Sequence, residues 1–393
     1  MDNKDKWTSR NVSSLALSAI KDMAMRSANV PDVASLAWGL PSFRTPEHIR
    51  RIVKHQLDAD PDIGKYALPD GLPELRKIVA ERHQLETGVA TDPDRHVLIT
   101  AGNMQGLNAL FHVLIDRDDE IIMTDPGFAS HAQQIRLCGG NPIYWKMREE
   151  DEWSLVVESL SELITARTKA IVLVSPSNPT GKIFTETELR RVGRVARKHD
   201  LLILMDDPYR HFTYENTDKY FNLACVQELA DRVAYLFTFS KAHAMSGWRL
   251  GYMIVPEWLK KQVLKVHDAT IICTPRISQV AGFAALTEQS DHLLEFEQTL
   301  AKRRELICER LDRVPHVFTY VKPEGAYYVF PKIVIKHDDS YKFALDLLES
   351  ARVSVTPGSA FGPTGEHHVR MAYCVPEDMI DKAFDRIEKQ FPI

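Results

Sequence analysis

The chain has 393 residues, 44% of them hydrophobic and 26% charged, with a formal net charge of -5. That length suits two or three domains with a sizeable buried core, and the composition is that of a soluble globular enzyme. The negative balance argues against nucleic acid as a partner, and no apolar run approaches membrane-spanning length. The densest basic cluster, Lys302, Arg303 and Arg304, is interleaved with Glu297, Glu305 and Glu309 and reads as a solvated helix face. Cysteines 138, 225, 273, 308 and 374 form no CxxC pair, so reduced thiols are expected in place of disulfides or a metal site. The polar start lacks an apolar signal region, and a cytoplasmic protein is expected.

In chain order, 96–100 reads as a buried strand, 103–115 as a helix and 120–124 as the next strand. Residues 170–174 form a further apolar strand, and Thr185-x-x-Glu188 opens a helix with the capping-box pattern. Leu189, Val192, Val195 and Ala196 share one face of that helix, and 201–205 follows as a strand. Strand and helix alternating at this spacing predict a mostly parallel sheet covered by helices on both faces. Ligands of such sheets collect at the carboxyl ends of the strands. Leu293, Phe296, Leu300, Ile307 and Leu311 then mark a long amphipathic helix. After it come 326–330, a helix near 340–352, a strand at 368–373 and a last helix from about Pro376. The expected organisation is an α/β large domain, 47–290, and a smaller α+β domain built from 1–46 and 291–393.

The most informative segment is Thr238-Phe239-Ser240-Lys241, followed by Arg249 in a Gly-Trp-Arg-Leu-Gly turn. A lysine amine at a strand mouth can form a Schiff base with a carbonyl cofactor. The hydroxyls of Thr238 and Ser240 and the planar cation of Arg249 suit a phosphate monoester. Pyridoxal 5'-phosphate needs both at once. Ser175-Pro-Ser-Asn178-Pro-Thr-Gly181 follows a strand directly, and Asn178 offers an amide donor to the cofactor's phenolate oxygen. Asp206 ends an otherwise apolar strand, where an acid is costly unless paired, and the cofactor's pyridine nitrogen would pair it. Tyr209 can add a second bond to the phenolate, and Asp207 is the rival for the acid role. Gly102-Asn103-Met104-Gln105 starts a helix whose free N–H groups suit the phosphate. Phe128 either stacks on the pyridine ring or packs as core.

Together these segments resemble the class I/II aminotransferases, a fold-type I group of pyridoxal-phosphate enzymes, from about Leu36 to Tyr373. The resemblance implies Lys241 as the Schiff-base lysine and general base. It puts Arg249, Thr238 and the helix start at Asn103 and Met104 on the phosphate, and Phe128 on the ring. It pairs Asp206 with the pyridine nitrogen, and Asn178 and Tyr209 with the phenolate. Arg370 matches the arginine that binds the substrate α-carboxylate, and Gly39 a glycine lining the substrate site. Tyr66 matches a tyrosine that reaches the phosphate of the neighbouring subunit, and the Cys273-Thr-Pro-Arg276 loop also approaches that site, which implies a homodimer with shared active sites. Thr238 stands where serine is more usual, Asp207-Pro208 where Glu plus an aliphatic residue is common, and Phe128 where Tyr or Trp is more usual. Trp38, where a smaller residue is usual, either shapes the substrate pocket or packs as core.

The implied reaction moves an amino group from an L-amino acid to a 2-oxo acid, with 2-oxoglutarate the expected acceptor. Two alternatives stand beside it. One is a carbon-sulfur lyase or related enzyme on the same scaffold, which also begins by removing an α-proton. The other is a non-catalytic sensor domain of a transcription regulator; such proteins carry an N-terminal DNA-binding unit, and here only some forty residues precede the Gly39 segment.

Overall fold

The computed structural model describes residues 5–13, 15, 17–288 and 291–392. After the short β1 (Ala34–Ser35), the chain builds a seven-stranded sheet. Its strands are β2 (Val97–Thr100), β3 (Glu120–Asp125), β4 (Asn141–Lys146), β5 (Thr168–Val174), β6 (Leu202–Asp206), β7 (Val233–Thr238) and β8 (Gly251–Ile254). The order across the sheet is β2-β8-β7-β6-β5-β3-β4. β8 runs antiparallel to both neighbours, and the other adjacent pairs are parallel. The inner strands are buried almost throughout, as expected of a sheet covered on both sides, and edge strand β4 is largely accessible.

Alternation along the strands divides the apolar side chains between two cores. Met123, Val172 and Leu204 face one, packed with Leu107, Leu110 and Phe111 of the helix Asn103–Leu114. Ile122, Ile171, Leu173, Ile203 and Met205 face the other, with Leu189 and Val192 of the helix Glu186–Lys198. The capping box forms as the sequence predicts. Thr185 accepts from the Glu188 backbone N–H, and the Glu188 carboxylate accepts from the Thr185 N–H. The sequence elements at 96–100, 103–115, 120–124, 170–174 and 201–205 all appear, with ends shifted by a few residues.

A third core lies outside this sheet. Met23, Leu36, Leu300, Ile307, Phe343 and Phe384 meet there, joined by Tyr209, Phe212 and Tyr214 from the loop after β6. β9 (Phe318–Thr319), β10 (Tyr328–Val329), β11 (Lys332–Ile333), β12 (Val353–Ser354), β13 (Thr356–Pro357) and β14 (Val369–Ala372) supply short ladders. β10-β14-β13 is an antiparallel triplet, and β12 pairs in parallel with β1, tying the beginning of the chain to its end.

Arg310 clamps two helices of this part. It rises from Asp291–Asp312 to pair with Asp381, Asp385 and Glu388 of Glu377–Gln390, with its guanidinium 5.9 Å from the Phe384 ring centre. The carboxylates are partly solvated, so the loss on removing Arg310 stays below that of a fully buried pair. Arg310→Ala should lower the unfolding free energy by about 1–3 kcal/mol, partly through lost packing of the stem. Urea unfolding measures this, and Arg310→Lys should recover part of the loss.

Candidate active site

β2, β3, β5, β6 and β7 all end at one edge of the sheet, and a cavity of about 270 Å³ opens there. The loop after β2 and the helix it enters bring Asn103 and Met104, and the segment after β3 brings Phe128. Asn178 follows β5, Asp206 and Tyr209 follow β6, and Thr238, Ser240 and Lys241 follow β7. Arg249 enters just before β8, whereas Trp38, Gly39, Tyr328 and Arg370 come from the third-core side. Of the residues singled out in the sequence, Tyr66, Gly102, Asp207, Cys273 and Arg276 are absent from the lining, and Tyr66 stands 75% exposed on the surface.

Lys241 sits on the short helix Phe239–Ala242, and its Nζ donates to the Gly39 carbonyl at 2.9 Å. Burial, with the cations of Arg370 and Arg249 nearby, lowers its pKa to about 8, although Cys374 and Asp206 pull the other way. Gly39 lets this segment run against Tyr328. A Cβ there would lie 2.0 Å from the Tyr328 hydroxyl.

Strand alternation separates the two acids that the sequence left as rivals. Asp206 faces the cavity, where its Oδ1 accepts from Asn103 Nδ2 at 2.7 Å and its Oδ2 lies 3.0 Å from His131 Nε2. Asp207 turns to the opposite face, and its Oδ2 accepts from the hydroxyls of Tyr220 and Tyr235. Burial raises its pKa to about 6 despite the cation of Arg210. One sequence inference is corrected here, and another is narrowed to the backbone groups it named. Asp206 already has partners within the chain, so its burial does not by itself call for a ligand. The Asn103 side chain is committed to Asp206, so at this helix start only the backbone N–H groups remain for an anion.

Arg370, on β14, is 2% exposed. Its Nη1 donates to Asn178 Oδ1 at 3.1 Å and its Nη2 to the Ala37 carbonyl at 2.6 Å. The guanidinium lies 4.5 Å from the Tyr328 ring centre and 5.0 Å from that of Phe361. Its Nε has no partner among the described residues. Asn178 Nδ2 is 3.4 Å from the Tyr209 hydroxyl, which lies 3.0 Å from that of Tyr328. Desolvation, then Tyr328, pushes the Tyr209 pKa well up, so it stays protonated.

At the other end, Arg249 has a left-handed backbone (φ 51°) and donates to the carbonyls of Ser246 and Ala101. Gly102 leaves it room, since a Cβ there would sit 2.7 Å from Arg249 Nη2. Thr238 caps the short helix by accepting from Ser240 N–H, and its Oγ1 lies 2.9 Å from Ser240 Oγ. Phe128 is half-buried: it lines the cavity with its ring edge-on to His131 and also packs against the third core. Trp38 is 52% exposed, which overturns the core alternative for it. Arg276 pairs with Asp60 of its own chain.

Sequence reasoning missed His131, Tyr328, and Ser18, Ile20 and Lys21 from the start of the chain. His131 lies three residues after Phe128, a spacing that sets both on one side of the helix start. The paired tyrosines of 326–330 were the only signal for Tyr328.

A family model described as "Aminotransferase class I and II" matches residues 31–387. An aspartate aminotransferase of Pyrococcus abyssi is 33% identical over 374 residues, 95% of each chain. Aromatic-amino-acid aminotransferase 2 of Thermococcus litoralis is also 33% identical, with the same coverage. Among solved structures, an aspartate aminotransferase of Thermus thermophilus with maleate superposes with a TM-score of 0.91 at 31% identity, covering 98% of this chain and 99% of that one. The architecture is fold type I, and the enzymes of this class use pyridoxal phosphate. With a family model spanning most of its length and relatives of one third identity at nearly full coverage, the chain belongs to the class I and II aminotransferases, pyridoxal-phosphate enzymes that transfer amino groups.

Proposed function

We propose that this enzyme moves the amino group of an L-amino acid to a 2-oxo acid, with 2-oxoglutarate the usual acceptor, in two half-reactions that share the cavity at the strand ends. One observation carries the reading: the Lys241 amine, with its lowered pKa, and the Arg370 guanidinium open into the same cavity. The relatives named for aspartate and for aromatic amino acids support acidic or aromatic donors.

The residues present fit pyridoxal phosphate. Arg249, the hydroxyls of Thr238 and Ser240, and the helix start at Asn103 and Met104 would hold the phosphate, in a space that a side chain at 102 would fill. Asp206 would face the pyridine nitrogen, fixed in orientation by Asn103 and His131. Asn178 and Tyr209 would meet the phenolate, and Phe128 the ring. When bound, the cofactor supplies an aldehyde for reversible linkage to an amine and a protonated ring that accepts electrons. Lys241 Nζ would form that linkage in the resting enzyme.

Once the substrate amine has taken its place, Lys241 Nζ is the base that would take the proton from the substrate Cα and return it in the reverse half-reaction. Arg370 would bind the α-carboxylate, with its guanidinium plane set between Tyr328 and Phe361. Holding that carboxylate decides which bond of Cα is presented for cleavage. Gly39 and Trp38 would border the substrate, Gly39 by leaving space beside Tyr328.

Three further points belong to the proposal. The third core supports a division into 47–290 and a unit of 1–46 with 291–393. The five unpaired cysteines support a cytoplasmic location. The exposed Tyr66 supports a homodimer in which this side chain reaches the partner's phosphate site.

Capture of pyridoxal phosphate by the cofactor-free protein tests the first assignment. The neutral amine is the reactive form, and a lowered pKa makes more of it at a given pH. The rate of appearance of the imine absorbance should rise about tenfold per pH unit below pH 8 and level off above it. Lys241→Ala should give no such band, and borohydride should fix the label on Lys241 and on no other lysine.

The acids are separated by single-turnover kinetics. Asp206→Ala should slow proton removal on the order of a thousandfold, about 4 kcal/mol of transition-state stabilisation. Asp207→Asn, on the other face of the sheet, should leave that step within about threefold. A larger effect at 207 would reverse the assignment.

Shared sites predict complementation. Tyr66→Phe and Lys241→Ala, each impaired alone, should regain about half of wild-type activity per dimer in purified mixed dimers, because two-fold symmetry leaves one site whole. No recovery would mean that Tyr66 does not act on the partner's site.

A further inference from the structure

The cavity holds more positive charge than the proposed reaction uses. Its lining carries Lys21, Lys241, Arg249 and Arg370 against one carboxylate, Asp206. Arg249 answers to the phosphate, Arg370 to the α-carboxylate and Lys241 to the aldehyde. Lys21, at the start of the helix Ala19–Ala28, is left over. It makes no ion pair among the described residues; its ammonium rests over the Trp38 ring, 5.3 Å from the centre. The adjacent Asp22 is engaged elsewhere, by Arg26 and by the Tyr341 hydroxyl. Lys21 is exposed to solvent at the cavity mouth, and its contact with the Trp38 ring keeps the ammonium over the opening.

The position of Trp38 gives this contact meaning. Ala37 holds Arg370 through its carbonyl, and Gly39 holds Lys241 through its own. The indole between them therefore borders the space next to the guanidinium that would bind the α-carboxylate and the amine that would serve as base. We propose that Lys21 recognises the distal carboxylate of a dicarboxylic substrate, which makes the enzyme selective for short oxo and amino acids with a second acidic end. The inference rests on the aminotransferase reading above. In the free enzyme the indole face keeps the ammonium at the cavity, and a bound carboxylate gives it a stronger, charge-assisted partner. An aromatic substrate would compete with Lys21 for the same ring.

The test compares 2-oxoglutarate with pyruvate, which lacks the distal carboxylate, using one amino donor. In Lys21→Ala the ratio of kcat/KM values, 2-oxoglutarate over pyruvate, should fall about tenfold or more, and further in Lys21→Glu. Lys21→Arg should restore most of it. Calorimetry on the holoenzyme supplies a readout independent of turnover: glutarate should bind more tightly than butyrate to the wild type, and Lys21→Ala should erase the difference. An unchanged ratio, or equal losses with both acceptors, overturns the proposal, as does equal binding of glutarate and butyrate to the wild type. A wild type that turns over neither acceptor would instead sink the proposed reaction with 2-oxoglutarate, and the calorimetry would still report on Lys21.

Discussion

Three consecutive residues, Ala37, Trp38 and Gly39, each hold a cationic side chain at the cavity. Ala37 and Gly39 do so through carbonyl oxygens, to Arg370 and Lys241, and Trp38 through its ring, to Lys21. Neutral acceptors of this kind orient a cation without neutralising it, so the charge remains available to an incoming anion. A carboxylate in their place would compete with the substrate. The segment can run so close to Tyr328 only because residue 39 has no side chain. It is also anchored to the end of the chain, by Leu36 N–H to the Ser354 carbonyl and by Ala372 N–H to the Leu36 carbonyl. The cation geometry therefore depends on β14 and its neighbours as much as on the large sheet.

The large sheet contributes by parity. Met205 and Asp207 share one face of β6 and the residues that follow it, and Leu204 and Asp206 share the other. Asp206 thus emerges above the helix Asn103–Leu114, within reach of Asn103 and His131. Asp207 is directed among tyrosines and Arg210, where burial raises its pKa to about 6. A shift of one residue in this strand would exchange the two acids and leave the cavity without its carboxylate.

Much of this was legible in the sequence because the relevant signals are local. Apolar runs gave β5 and β6, the Thr185 and Glu188 pair gave a capped helix, and the polar residues following each strand gave the site. Lys241, Arg249, Asn178 and Asp206 were readable because each breaks a local pattern at a strand end. What was not legible came from contacts distant in the chain. His131 matters through Asp206, 75 residues away, and Tyr328 through Gly39 and Arg370. Lys21 sits in a short helix whose sequence is unremarkable, and only the fold brings it over Trp38. Asn103 illustrates the same limit from the other side: its place at the helix start was visible, and the partner of its amide was not.

The surplus of cations also bears on the strength of the base. Burial depresses the Lys241 pKa most, and Arg370 and Arg249 depress it further. A carboxylate on Arg370 and a phosphate at Arg249 would cancel those two repulsions, while burial remains and water is displaced. Each anion therefore makes Lys241 more basic as it arrives, with Asp206 already acting in the same direction. The two arginines are thus placed so that an anion bound at either one would raise the basicity of the Lys241 amine.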